Sequence, residues 1–228
     1  MRKLFDLENP VFQAISRIVD LVVLGLLCLA CCLPVVTAGP AVAALFKAVY
    51  DLTLDRGGGV VAAYCRAFRD DLKQAAIAGL IVLVVLASLV CDFLLLKLYY
   101  QGNAYTLLFA GVAILAVLAG GAACYVFPLI ARYQNTLREH GRNALILTIR
   151  YFPKTLAMLF IRLLPLLTFW LLPATFIRTL LVWILFFPGF AAQADAFLLR
   201  PVFEKLEAPA PEAPSGDGED DDEEDEEE

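Results

Sequence analysis

Charged side chains inside apolar stretches are the first candidates for chemistry in this sequence. Asp92, Arg162, Arg178 and Asp195 each interrupt or border a long uncharged run. Ionisable groups are costly inside a membrane, so such residues form static pairs, extend to the interface or line an ion path. If the last two apolar stretches form an antiparallel hairpin, Arg162 and Asp195 reach similar depth, and we expect them to pair. Asp92 has Lys97 and Arg178 as candidate partners. Static pairing is the favoured interpretation, because a proton relay needs more groups in line.

The other reactive residue types form no catalytic pattern. Cys28, Cys31 and Cys32 have a spacing typical of metal or redox sites, but they lie in an apolar stretch, and His140 is the one histidine of the chain. Small packing residues explain these cysteines better than a metal site does. No nucleophile has a base at useful spacing, no carboxylate pair suits acid–base work, and no phosphate-binding loop is present. We predict no enzyme activity, no cofactor, no metal site and no nucleic-acid partner.

The composition of the chain indicates which structural elements contain these residues. Of 228 residues, 61% are hydrophobic and 18% are charged, with a mean hydropathy of +0.74, which is too apolar for a soluble core of this length. As a helix, about 20 apolar residues span a hydrocarbon layer of about 30 Å. Unbroken apolarity without alternation excludes a membrane barrel. We therefore predict an all-α fold, a polytopic α-helical membrane bundle formed by residues 1–206. Its five strong transmembrane helices are expected near residues 18–36, 75–100, 105–131, 154–173 and 176–199.

Residues 40–54 are expected to form a further, shorter helix. A Leu-Pro pair at 33–34 breaks the first span. Thr37 can then cap the next helix, and Pro40 suits its first turn. The segment is amphipathic, with Lys47 and Asp51 on one face. Since about 15 residues give a length of only about 22 Å, two alternatives remain open. The segment is either a re-entrant helix leaning on the first span or a helix lying flat at the membrane interface.

The distribution of lysine and arginine predicts the orientation. Basic residues concentrate in four segments, which are residues 1–17, 37–74, 132–154 and 200–206. Lys97 and Arg178 stand alone in the connections on the other side. Loops rich in lysine and arginine stay in the cytoplasm. With a re-entrant helix at 40–54, we therefore expect a multi-pass protein of the bacterial cell membrane with its basic loops and both termini cytoplasmic.

The two basic loops carry the predicted contact surface. Segments 60–74 and 137–153 each read as an amphipathic surface helix with an apolar stripe at helical spacing, such as Leu145, Ile146 and Ile149 in the second. One alternative is that they bind anionic lipid headgroups. The other is that they dock another protein. The candidate contact residues are Arg66, Arg69, Lys73, Arg138, Arg142 and Arg150.

The net charge of −6 conceals two parts of opposite sign. Thirteen of the 24 acidic residues lie within 207–228, where there is no lysine or arginine. Residues 1–206 therefore have 18 basic residues against 11 acidic ones, a net charge of +7. We predict that 207–228 is a disordered acidic tail on the same face as the basic loops, where it competes for them with headgroups or a partner.

Four blocks of the sequence together resemble the YesL family of bacterial integral membrane proteins. They are LFDLENPVFQAISRIVDLVVL, LPVVTAGPAVAAL, AYCRAFRDDLKQA and YVFPLIARYQN. The resemblance covers residues 4–200 and leaves out the acidic tail. It implies a link to carbohydrate uptake, because members of the family are often encoded beside carbohydrate ABC importers, and it implies no established biochemical activity.

Two function hypotheses follow from the residues and the resemblance. The first is an accessory, scaffold or regulatory membrane protein of a carbohydrate ABC importer, whose partners are permease or ATPase subunits, anionic headgroups and the lipid bilayer. The second is a small autonomous transporter that uses Asp92, Arg162 and Asp195.

Overall fold

A computed structural model of the protein describes residues 10–54, 59–99 and 101–207. Within these ranges the fold is entirely helical, which confirms the predicted fold class. The eight α-helices are α1 (Pro10–Cys31), α2 (Ala38–Thr53), α3 (Val60–Asp70), α4 (Leu72–Tyr99), α5 (Asn103–Arg132), α6 (Leu137–Arg150), α7 (Phe152–Leu171) and α8 (Pro173–Glu207). The predicted disordered segment lies outside the described residues from 208 onward.

Six helical stretches in the described part of the chain are long and apolar enough to cross a membrane. Five of them, in α1, α4, α5, α7 and α8, coincide with the five predicted spans. The sixth is Val35–Thr53, which contains α2. The helix ends differ from the predicted limits, most of all in α1, which begins at Pro10 instead of near residue 18, and in α8, which continues to Glu207 instead of ending near residue 199.

The break between α1 and α2 follows from local chemistry. Helix α1 ends at Cys31, three residues before Pro34, which has no backbone N–H to donate. The Thr37 hydroxyl donates to the carbonyl oxygen of Cys31 at 2.6 Å and to that of Pro34 at 2.8 Å. These bonds satisfy carbonyl groups that a helix end leaves open. The chain therefore reverses in a tight turn and α2 runs back beside α1.

Helix α2 lies inside the bundle. It packs against α1, α3, α4, α5 and α8, and most of its residues are buried. A Cβ atom on Gly79 of α4 would lie 2.8 Å from the Cα atom of Gly39, so the two backbones touch where both residues are glycine. This burial does not fit a helix lying flat at an interface, and it agrees with the alternative of a short helix leaning on α1.

Helix α6 folds back along α5. Its start has a capping box, in which the Thr136 hydroxyl accepts from the Glu139 N–H and the Glu139 carboxylate accepts from the Thr136 N–H. Further along α6, the Thr148 methyl group lies against Gly121 of α5, where a Cβ atom would approach it to 2.6 Å. Helix α6 is therefore packed on the bundle through one face, and its opposite face remains exposed.

The buried core occupies one end of the bundle. We define the packed end as α2, α3 and α6 with the adjoining parts of the long helices, residues 21–31 of α1, 72–79 of α4, 120–132 of α5, 152–162 of α7 and 189–207 of α8. We define the open end as residues 80–99, 103–119, 163–171 and 173–188. Within these four open-end ranges, Leu96 is the one buried residue. Both hydrophobic clusters lie at the packed end, and α1 forms part of the second.

Candidate functional site: an intramembrane ion pair and a basic surface

The α7–α8 hairpin places an arginine and an aspartate at the same depth. Arg162 Nη2 donates to Asp195 Oδ2 at 2.8 Å, and the two charges form an ion pair. The Asp195 side chain is fully buried, whereas the Arg162 side chain is 36% exposed. Asp195 Oδ1 and Arg162 Nε are buried and have no hydrogen-bond partner among the described residues. The pair is therefore only partly satisfied by the protein.

Arg162 borders an apolar cleft that is lined by residues of α2, α4, α5 and α7. The cleft has a volume of about 470 Å³, and its lining includes Val42, Gly120, Phe127 and Leu159. The guanidinium group of Arg162 is therefore placed where a polar group inside the cleft could contact it. Such positions inside a membrane are usually functional or paired.

The other two predicted charges do not join this pair. Asp92 lies on α4 and Arg178 on α8, and both are exposed at the open end. Helices α4 and α8 are not packed together, and no salt bridge among the described residues includes Asp92, Lys97 or Arg178. The three charges of the transporter hypothesis are thus not assembled in one place.

The two predicted basic segments meet at the packed end. Gln74 at the start of α4 donates through Nε2 to the carbonyl oxygen of Asn135, just before α6, at 2.6 Å. Lys47 of α2 lies 4.0 Å from Asp70 and 3.9 Å from Asp71, which links α2 to the α3–α4 junction. All six predicted contact residues are exposed: Arg66, Arg69, Lys73, Arg138, Arg142 and Arg150. We refer to these six side chains as the basic surface.

Apolar side chains adjoin the basic surface on α6. Leu145, Ile146 and Ile149 are 45%, 49% and 61% exposed, respectively. Contiguous exposed apolar residues with a charged rim are typical of a surface that contacts a membrane or another protein. The predicted apolar stripe of this segment is therefore the outward face of α6, and the inward face consists of His140, Ala144, Leu147 and Thr148.

Two titratable groups sit beneath the basic surface. His140 is fully buried, and neither ring nitrogen has a hydrogen-bond partner in the described structure. Burial lowers its pKa, while the charges of Glu139 and Asp71 and the backbone of Asn135 act in the opposite direction. Burial raises the pKa of Asp71, and nearby Lys47 limits the rise. Both groups therefore favour the neutral form more than they would in water.

A second ion pair was not predicted from the sequence. Arg132 at the end of α5 donates through Nε to Glu207 Oε1 and through Nη2 to Glu207 Oε2, both at 2.8 Å. The Tyr133 hydroxyl donates to Glu207 Oε1 at 3.0 Å. The sequence placed Glu207 in the acidic tail, and this assignment was wrong for this residue because it is the last residue of α8. The missed signal is the helical spacing that continues past Leu199 through Val202 and Phe203 to Leu206.

The cysteines in α1 lie among packing residues. Cys28 Sγ is 3.9 Å from Cys32 Sγ, and Cys28 is buried beside Tyr64, whose hydroxyl donates to the Ala41 carbonyl oxygen at 3.3 Å. The described residues contain no group of three or more His, Cys, Asp or Glu side chains placed to hold a metal ion.

Six long apolar helices around a partly satisfied ion pair are consistent with the class of multi-pass α-helical membrane proteins. Comparison with protein families adds one match: the family described as "Protein of unknown function, DUF624" matches residues 21–93, about a third of the chain. That stretch runs from the middle of α1 through α2 and α3 into α4. No curated protein and no solved structure matches the chain significantly.

Proposed function

We propose that the protein is an accessory or scaffold subunit that docks through its basic surface onto a carbohydrate ABC importer in the bacterial cell membrane. The observation that carries the proposal is the contact between the two basic segments at Gln74 and Asn135, which brings residues more than 60 positions apart together at the packed end. The YesL-like sequence blocks and the match at residues 21–93 support the family context. The basic surface would face the cytoplasm, as its lysine and arginine content indicates.

The composition of the surface favours a protein partner. Arg138, Arg142 and Arg150 lie on the same helix as the exposed apolar residues Leu145, Ile146 and Ile149. Arginine is enriched in protein interfaces, and it binds carboxylates in a fixed planar geometry. Within the described part of the chain, none of the six basic side chains is used in a salt bridge. Arg150 lies over the Tyr151 ring, 5.9 Å from its centre, and a partner carboxylate would meet no competing ion pair at these side chains.

Affinity purification from bacterial membranes in a mild detergent tests this proposal. We expect the tagged protein to recover permease or ATPase subunits of an ABC importer. A triple variant of α6, with Arg138, Arg142 and Arg150 each replaced by Glu, should lose them. The matched control replaces Lys97 and Arg178 with Glu, because both are exposed basic residues of the open end. Recovery of no importer subunit by the wild-type protein, or equal recovery by the triple variant, would contradict the proposal.

Membrane lipid is the competing partner of the same surface. If the arginines of α6 bind headgroups alone, the triple variant should lose binding to anionic vesicles and recover the same proteins as the wild type. Vesicles of neutral lipid serve as the reference, since the electrostatic attraction requires anionic headgroups. This outcome would support a function in membrane anchoring and would contradict docking to a protein.

A second candidate is a small transporter, and the partly satisfied Arg162–Asp195 pair beside the apolar cleft favours it. Purified protein in liposomes should then move a sugar or an ion, and Asp195→Asn should abolish this movement. Glu204→Gln, which breaks an exposed pair with Arg200 on the same helix, is the matched control. Transport that persists in Asp195→Asn would exclude the pair from the mechanism.

A further inference from the structure

The contacts of Glu207 form a compact carboxylate clamp. Both carboxylate oxygens accept from the Arg132 guanidinium at 2.8 Å, and one of them also accepts from the Tyr133 hydroxyl at 3.0 Å. This paired arrangement is the geometry in which arginine recognises carboxylates. Burial and the neighbouring Glu207 raise the pKa of Tyr133 to about 12, so its hydroxyl stays protonated and donates. We call Arg132 and Tyr133 the carboxylate clamp.

The clamp is held in place independently of Glu207. The Arg132 guanidinium carbon lies 4.5 Å from the centre of the Tyr50 ring and 4.9 Å from that of Phe203, so the cation is placed between two aromatic side chains. Arg132 is also the last residue of α5, where the helix dipole favours a cation. A positively charged group is therefore positioned at this point before any carboxylate arrives.

Glu207 is a weakly fixed occupant of the clamp. It is the last residue of α8, where the helix dipole disfavours a negative charge. Its side chain is 46% exposed, so water and salt screen its attraction to Arg132. A competing carboxylate in the same geometry would restore the two Arg132 contacts that Glu207 gives up, so the exchange costs the fold little.

A cleft extends from the clamp into the packed end and offers a further donor. It lies between α2, α5 and α8 and has a volume of about 330 Å³. Arg132 Nη1 is buried and has no hydrogen-bond partner among the described residues. Lys47, which pairs with Asp70 and Asp71, and Asp51 also line the cleft. A ligand with a second acceptor group near its carboxylate would satisfy Arg132 Nη1, which Glu207 leaves unused.

We propose that the carboxylate clamp and its cleft form a binding site for an acidic peptide segment of a partner protein, and that Glu207 occupies this site until the partner displaces it. Successive acidic side chains supply a carboxylate for the clamp and a second one for Arg132 Nη1. The inference rests on the proposed function for the existence of a docked partner, but the site itself stands on the contacts of Arg132.

Replacement of Glu207 tests the site directly. The probe is a fluorescein-labelled peptide of alternating Glu and Gly, whose binding to the full chain in a neutral maltoside detergent is followed by fluorescence anisotropy. Glu207→Gln frees the clamp and should raise peptide affinity about tenfold or more, the effect of one hydrogen bond to a charged group. Glu204→Gln removes the same charge from the same helix, where the glutamate pairs with exposed Arg200 at 3.0 Å, and should change affinity less than about twofold. The acidic residues that follow Glu207 are present in both variants.

Variants of Arg132 distinguish peptide binding by the carboxylate clamp from attraction by the net charge of the protein. Glu207→Gln combined with Arg132→Gln should lose the whole gain in affinity. Combination with Arg132→Lys, which retains the charge and loses the planar fork, should lose most of it. Equal gains in Glu207→Gln and Glu204→Gln would show that only net charge matters and would overturn the proposal. Retention of the gain without Arg132 would also overturn it.

Competitors identify the class of ligand. Free glutamate that displaces the peptide at equal carboxylate concentration would indicate a small-molecule site and contradict a peptide ligand. If Glu207→Gln raises the affinity for anionic vesicles and not for the peptide, the clamp binds lipid headgroups. This result would also contradict a peptide ligand. The two proposals can fail separately. If Glu207→Gln raises the peptide affinity and the added Arg132→Gln abolishes this increase, the binding site is supported even when no importer subunit is recovered. Only the importer as partner would then be wrong.

Discussion

The packed end and the open end are built from the same long apolar helices, yet they bury their side chains very differently. At the packed end α2 lies between α1, α4, α5 and α8, and backbone contacts occur at Gly39 and Gly79. At the open end most side chains of α4, α5, α7 and α8 are exposed or half-buried. Trp170 is 79% exposed there, and Leu107 is 77% exposed.

This difference shows that hydrophobicity and burial are separate properties in this fold. The open end is at least as apolar as the packed end, but lipid can cover its leucines as well as protein can. Close packing requires small residues that let backbones approach, and the packed end has them at Gly25, Gly39, Gly79, Gly121 and Gly189. The polar interactions also concentrate there, including the Arg162–Asp195 pair and the carboxylate clamp. We therefore expect substitutions of one chemical type to have unequal effects at the two ends.

The largest contrast is expected for two aspartates. Asp195→Ala leaves the Arg162 cation without its buried partner, and we expect a loss of about 3–5 kcal/mol in the free energy of unfolding. Asp92→Ala at the open end removes an exposed side chain with no ion pair among the described residues and should cost less than about 0.5 kcal/mol. Reversible unfolding in mixed detergent and SDS micelles measures both values.

A double variant checks the cause of the Asp195 effect. Replacing Arg162 with Met as well as Asp195 with Ala removes both charges, so stability should recover in large part. A double variant as unstable as Asp195→Ala would show that the loss comes from packing of the aspartate and not from the unpaired charge.

The next contrast concerns two glycines. A Cβ atom on Gly189 would collide with the backbone carbonyl of Leu21, so Gly189→Ala must push α1 and α8 apart. We expect a loss of about 1–3 kcal/mol. At Gly111 of the open end a Cβ atom would meet nothing within 4 Å, and alanine there should be neutral or stabilising by up to about 1 kcal/mol. The same unfolding assay applies, and equal effects at both positions would remove the distinction between the two ends.

The sequence was sufficient to predict features that depend on local pattern. Long uncharged runs identify α1, α4, α5, α7 and α8, since no other element can satisfy its backbone within a membrane. The shared depth of Arg162 and Asp195 follows from the length of the α7–α8 hairpin alone. The sequence also indicated a turn at Pro34, because proline has no N–H to donate and disfavours the helical conformation in the residue before it.

Features that depend on packing among distant segments could not be predicted from the sequence. Amphipathic spacing in residues 40–54 indicated a helix but not whether it lies on a membrane surface or between other helices. Its central position depends on glycines in two helices meeting face to face. In the same way, Glu207 belonged by composition to the acidic tail, and only the fold brings it to Arg132, 75 positions away in the chain.

The smallest effect is expected from His140, which gives the packed end a pH response that the open end, without a histidine, does not have. Burial lowers the pKa of His140 below the ordinary value of 6.5, although Glu139 and Asp71 oppose the shift. The unfolded state therefore binds the proton more readily, so stability is complete above pH 6.5 and falls as pH decreases from 6.5 through the folded-state pKa. Asp71 has the opposite sign, because its raised pKa makes protonation stabilising at lower pH. Thermal unfolding between pH 5 and pH 8 should show this decrease in the wild type, and His140→Leu should reduce it. An unchanged slope in His140→Leu would assign the pH response to another group.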